Sequence, residues 1–100
     1  MTFRVRLSPQ ALADLTRLPA YLAPDSPAAA DRARSLLVEA LGSLEEFPHR
    51  GRPGRSASYR ELPVPFGRSG YKIRYRVTGS AVLVTRIVHA REGARPHRQP

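Results

Sequence analysis

The sequence predicts an α+β fold, with an N-terminal strand and an antiparallel helical hairpin packed on one face of a small, mainly antiparallel β-sheet. Three observations predict it. Apolar residues alternate with arginines from Phe3 to Leu7; two Ser-Pro pairs each open a stretch of helical spacing; and residues 59–89 return to period-two alternation. The 100 residues suit one domain with one modest core, placed over residues 1–92, with residues 93–100 as a flexible basic tail.

Phe3, Val5 and Leu7 alternate with Arg4 and Arg6, which marks a strand with one buried face. Ser8-Pro9 follows as N-cap and first helical position, since Pro has no N–H to lose there. Leu7 and Leu12 have the spacing of a hydrophobic staple, and positions 11, 12, 15, 18 and 22 form one apolar helical face. Pro19 should end or kink that helix. Ser26-Pro27 repeats the start signal, with Ala30, Ala33, Leu37, Ala40, Leu41 and Leu44 on one face until Pro48. A short link between the helices predicts the hairpin.

Residues 48–58 read as a basic loop without periodicity. Tyr59 to Val64 is a candidate strand whose two prolines, Pro63 and Pro65, suit an edge position best. After a turn at Phe66 to Gly70, Tyr71 to Val77 alternates cleanly, Gly79-Ser80 makes a tight hairpin turn, and Ala81 to His89 returns as an apolar, central strand. Pairing across that turn sets Val77 opposite Val82 and Tyr75 opposite Val84. The core face is then Tyr71, Ile73, Tyr75, Val77, Val82, Val84 and Val88, packed on Leu12, Leu15, Leu37, Leu41 and Leu44. The opposite face carries Lys72, Arg74, Arg76, Leu83, Thr85, Ile87 and His89. One helical hairpin covers only one face of a sheet, so this mixture of cations with exposed Leu83 and Ile87 asks for a partner.

Charge points the same way. Residues 49–100 hold twelve Arg or Lys against two acids, whereas residues 1–48 hold five against six. Charge gathered on the sheet half predicts work on a polyanion or an acidic protein. The absence of cysteine excludes disulfides and thiolate metal sites. His49, His89 and His97 have no second ligand at helical or strand spacing, and no glycine-rich loop leads from a strand into a helix, so neither a metal nor a cofactor is expected. The charged N-terminus and the lack of a long apolar run predict a cytoplasmic chain with no membrane span.

One constellation could carry chemistry: Arg60, Lys72, His89 and Arg91 on or beside the sheet, with Arg74 and Arg76. Cations that hold a phosphate, with a histidine for proton transfer, suffice in principle for metal-free phosphodiester cleavage. The plainer reading of the same residues is the solvated face of a strand.

The order of elements resembles the RelE/ParE superfamily of toxins from bacterial type II toxin–antitoxin modules. The resemblance rests on Leu7-Ser8-Pro9-Gln10-Ala11, Asp25-Ser26-Pro27-Ala28-Ala29-Ala30, Phe47-Pro48-His49-Arg50-Gly51, Tyr59-Arg60-Glu61-Leu62, Gly70 through Val77, and Ile87 through Glu92. It implies a cognate, ParD-like antitoxin as partner. It also implies one of two targets: DNA gyrase for the ParE-like branch, or ribosome-bound mRNA for the RelE-like branch. The mRNA-cleaving pattern implies basic residues near Arg60, Lys72 and Arg91, a further one where this chain has Leu62, and a C-terminal tyrosine where it has none after Tyr75. The Ser-Pro helix starts and Arg60-Glu61-Leu62-Pro63-Val64-Pro65 look more like the ParE branch. The expectation is a gyrase-directed toxin, with mRNA cleavage as the alternative, and with Arg74, Arg76, Leu83 and Ile87 facing the antitoxin. A third reading, a nucleic-acid-binding domain without toxicity, lacks the helix-turn-helix loop and the exposed aromatics it would need.

Overall fold

The computed structural model describes residues 2–54, 56 and 58–90; Arg91 and the expected tail at 93–100 lie outside them. The chain opens with β1 (Arg4–Leu7) and passes through Ser8 into α1 (Pro9–Ala20). Ser8 Oγ accepts the Ala11 N–H at 3.0 Å, and the same hydroxyl donates to the Thr85 carbonyl at 2.9 Å. The cap therefore starts the helix and fixes it to the far end of the chain. Pro19 is the penultimate residue of α1, as expected of a residue that removes a helical hydrogen bond. Residues 21–26 lead to Ser26, which caps α2 (Pro27–Ser43) through the Ala29 N–H at 3.1 Å.

The strands β2 (Arg52–Pro53), β3 (Arg60–Val64), β4 (Tyr71–Thr78) and β5 (Ala81–His89) complete a five-stranded sheet of order β1-β5-β4-β3-β2. The β1–β5 pair is parallel and the rest are antiparallel. Ala11, Leu18, Ala33, Leu37, Leu41 and Leu44 of the helical half meet Leu62, Val64, Tyr71, Ile73, Tyr75, Val82, Val84 and Ile87 of the sheet in one core. Both helices thus cover the same face of the sheet.

The hairpin turn behaves as the sequence predicts: Thr78 pairs with Ala81, Val77 with Val82 and Tyr75 with Val84, with Gly79 at φ 58°. Beyond that point the expected parity fails. Arg74 pairs with Arg86 while Tyr75 pairs with Val84, so Thr85 is an extra residue in a β-bulge. One extra residue turns every later side chain to the other face. Ile87, expected on the outer face, is fully buried opposite Ile73; Val88 stands opposite Lys72 instead of in the core row; and His89 stands opposite Tyr71 on the helix side.

Two further expectations are corrected. Leu12 is 55% exposed and does not pack in the core; the inward position between Ala11 and Leu18 is taken by Asp14. The loop at 48–58 contains β2, which pairs Arg52 with Glu61 and Pro53 with Arg60. Because β2 reaches only that far, the outer side of β3 from Leu62 onward pairs with no strand among the described residues. Pro63 sits on that unpaired stretch, where a missing N–H costs nothing.

Candidate functional site

Cross-strand partners share a face, so the register alone assembles the outer surface of the sheet. Arg6 of β1 lies beside Leu83 of β5, which lies beside Arg76 of β4. The next row runs Arg86, Arg74, Glu61, Arg52, and the third holds Val88, Lys72 and Pro63. Glu61 is the one acid in these rows. Its two oxygens are divided between Arg74 Nε at 3.2 Å and Lys72 Nζ at 3.9 Å. A cleft of about 180 Å³, lined by Arg52, Pro53, Glu61, Pro63 and Lys72, opens at that place. The Arg76 guanidinium lies 5.5 Å from the centre of the Tyr59 ring, within cation–π range. Among the described residues no carboxylate pairs with Arg4, Arg6, Arg52 or Arg76. The face is therefore a cationic surface with a partly exposed leucine in its middle.

Arg86 is held differently. Past the end of β1, the edge of β5 is covered by α1. There Asp14, only 3% exposed, accepts the Ile87 N–H at 2.9 Å, Arg86 Nε at 2.8 Å and Arg86 Nη2 at 3.2 Å, with Arg17 at 3.1 Å. Burial pushes the Asp14 carboxyl up, but these hydrogen bonds and the Arg86 charge outweigh it and hold it below the usual carboxylate value.

The candidate nuclease residues are distributed over both faces. Arg60 stands opposite Tyr75 on the helix side, where its Nη1 donates to the carbonyls of Gly51 at 2.6 Å and His49 at 3.3 Å. Gly51 in turn donates its N–H to the buried Tyr75 hydroxyl at 2.9 Å, and a Cβ at residue 51 would lie 2.6 Å from that oxygen. Arg60 is thereby committed to anchoring the loop. Burial raises the Tyr75 phenol pKa, opposed by the Gly51 hydrogen bond and the charges of Arg60 and Arg50. His89 is also on the helix side, with Nε2 3.2 Å from Ser69 Oγ and its ring edge-on to Tyr71 at 5.7 Å. Tyr75 and Tyr71, the partners of Arg60 and His89, are four residues apart on β4. The two sites are therefore about 13 Å apart along the strands and about 10 Å across them. Lys72 points to the opposite face. The structure does not bring Arg60, Lys72 and His89 around one phosphate, and Arg91 lies outside the described residues.

Sequence reasoning missed Glu61, Asp14 and Tyr59. Asp14 left a signal, since 11, 14 and 18 share a helical face with buried neighbours. Glu61 left only its period-two position between Arg60 and Leu62.

Comparison with known proteins agrees with this architecture. Residues 5–93 match the family model described as the ParE toxin of the type II toxin–antitoxin system parDE. Toxin RelE1 of Caulobacter vibrioides is 49% identical over 92 residues, which cover 92% of this chain and 98% of that protein. Toxin RelE3 of the same organism is 42% identical over 88% of this chain and 95% of its own length. Among solved structures, a chain of the chromosomal ParDE TA system from P. aeruginosa superposes with a TM-score of 0.75 at 23% identity, over 89% of this chain and 97% of that one. A chain of the toxin–antitoxin complex RelBE2 from Mycobacterium tuberculosis gives 0.64 at 27% identity, over 89% and 99%.

Proposed function

The chain belongs to the RelE/ParE superfamily of type II toxin–antitoxin toxins, and from that premise we propose that it acts by binding DNA gyrase rather than by cutting RNA, and that an acidic antitoxin segment on its outer sheet face neutralises it. The observation that carries the first part is the division of Arg60, Lys72 and His89 between the two faces of the sheet. A metal-free ribonuclease needs its cations and its proton-transfer group within hydrogen-bond reach of one phosphodiester. Here Arg60 already bonds two loop carbonyls and Lys72 faces Glu61. A toxin that traps a protein–DNA intermediate needs only a contact surface, which the cationic rows supply.

The second part rests on the same rows. Arg76 stands level with Leu83 and Arg74 in the next row, so carboxylates and an apolar side chain of one segment would be met together. A flexible segment that folds on binding suits such a broad, shallow surface. Ile87 takes no part, being buried.

The test uses purified toxin freed of antitoxin. It should block gyrase supercoiling and leave ribosome-bound mRNA intact, with His89→Ala changing potency by less than about tenfold. A catalytic acid or base would cost ~10²–10⁴-fold. Site-specific mRNA cleavage abolished by His89→Ala or Arg91→Ala, with supercoiling unaffected, would establish the RelE-like alternative.

A further inference from the structure

Glu61 is out of place by charge. It is the one acid in the outer rows, and it stands in a cleft to which β2 and β4 bring Arg52 and Lys72, with Arg74 of β4 as its cross-strand partner. Each of its carboxylate oxygens is directed at a different cation. These are the contacts that an incoming acidic side chain would make. The pairs are also weak by construction: the side chains of Glu61, Lys72 and Arg74 are 32%, 28% and 36% exposed, so solvent screens them and a competitor can reach them.

We infer that Glu61 is an internal competitor for the cationic cleft, occupying the ground between Lys72 and Arg74 until a carboxylate of an acidic, amphipathic partner segment displaces it. The inference rests on the outer-face docking reading above and names the residue that tunes it. Lys72, Arg74 and Arg76 alternate along β4 at roughly 6.6 Å, the spacing of alternate side chains in an extended peptide. Two features favour a peptide over a nucleic acid. Leu83 stands in line with Arg6 and Arg76, and offers apolar contact that a phosphodiester backbone does not use. Tyr59, the aromatic of this face, has the Arg76 guanidinium over its ring at 5.5 Å, which competes with a base for that ring face. The built-in acid also lowers affinity for unspecific polyanions, so that a partner has to bring apolar contacts as well as charge.

The experiment measures binding of the whole toxin to poly-L-glutamate and to an oligothymidylate of matched length at low ionic strength. It compares the natural chain with Glu61→Gln, Glu61→Ala and the control Glu39→Gln, an exposed acid on α2. Thermal melts of each variant confirm folding, and the two Glu61 substitutions give independent routes to the same readout. Both should tighten poly-L-glutamate binding by about three- to tenfold, while Glu39→Gln, with the same change in net charge, leaves it within about twofold. Glu61 variants that bind no tighter than the control overturn the competitor role while leaving the docking face standing. Absence of poly-L-glutamate binding by the natural chain and the Glu61 variants alike overturns the docking face and the inference with it. A larger gain for oligothymidylate than for poly-L-glutamate overturns the peptide occupant.

Discussion

Asp14 joins α1 to β5 through one carboxylate that accepts from Arg17, Arg86 and the Ile87 N–H. Its pKa is lowered in the folded state, so the unfolded chain binds more protons as pH falls. The stability it contributes is present above the unfolded value of about 3.9 and is lost as pH drops through the lower folded value. Melting temperature should therefore fall below about pH 4 in the natural chain, and more shallowly in Asp14→Asn. At neutral pH that substitution should cost on the order of 2–3 kcal/mol, because the Ile87 N–H and the Arg86 guanidinium exchange a charged acceptor for a neutral amide that accepts through one oxygen only. A pair of substitutions separates surface from core. Leu83→Glu should weaken neutralisation by antitoxin with a stability change within about 1 kcal/mol. Ile87→Ala should cost about 2–5 kcal/mol, and Ile87→Glu should abolish folding. Growth rescue by antitoxin together with urea melts reads both.

The β-bulge in β5 decides which side chains the outer face presents. Inserting one alanine between Arg86 and Ile87 would turn Ile87 to the outer face and Val88 inward. The expected outcome is loss of cooperative unfolding in urea, whereas Thr85→Val, which keeps the residue count, should cost under about 2 kcal/mol for the lost bond to the Arg74 carbonyl. This strand also shows how far the sequence could be read. The turn at Gly79-Ser80 fixes register locally, so Tyr75 opposite Val84 was legible. From Val84 to Val88 both parities contain apolar residues, and nothing local marks an insertion. The helices were legible from their Ser-Pro caps, yet Leu12 was assigned inward because apolar spacing does not register a carboxylate needed by a strand edge. β2 was hidden because two residues in an Arg-Pro-Gly context carry no period.

At the scale of the whole molecule, the asymmetry of charge becomes an asymmetry of faces. Helices cover one side of the sheet, and arginines from β1, β2 and β4 converge on the other, although Arg6 and Arg76 are seventy positions apart in the chain. Clustering in sequence predicted the basic sheet; the membership of β1 and β2 required the strand order. Binding of acidic partners should accordingly weaken steeply with salt, and Arg6→Glu should weaken it about as much as Arg76→Glu despite lying on the edge strand. Titrations of poly-L-glutamate at several ionic strengths measure both.

The parallel seam between β1 and β5 has a consequence for when the molecule becomes active. Arg4 to Leu7 find their partners only at Ala81 to Val84, and Ser8 Oγ closes on Thr85 across 77 positions. Contacts this distant form late, after the loop entropy between them has been met. Until β5 has emerged, α1 has no strand to cap and Asp14 has no amide to accept. A growing toxin is thus without its finished sheet until residues 81–89 have been made, which gives an antitoxin made alongside it time to be present first. Ribosome-bound chains halted after Thr78 should be cleaved rapidly by protease, and chains extended past His89 and clear of the ribosome should resist it. Protease resistance of the Thr78-halted chains would show that the seam is dispensable.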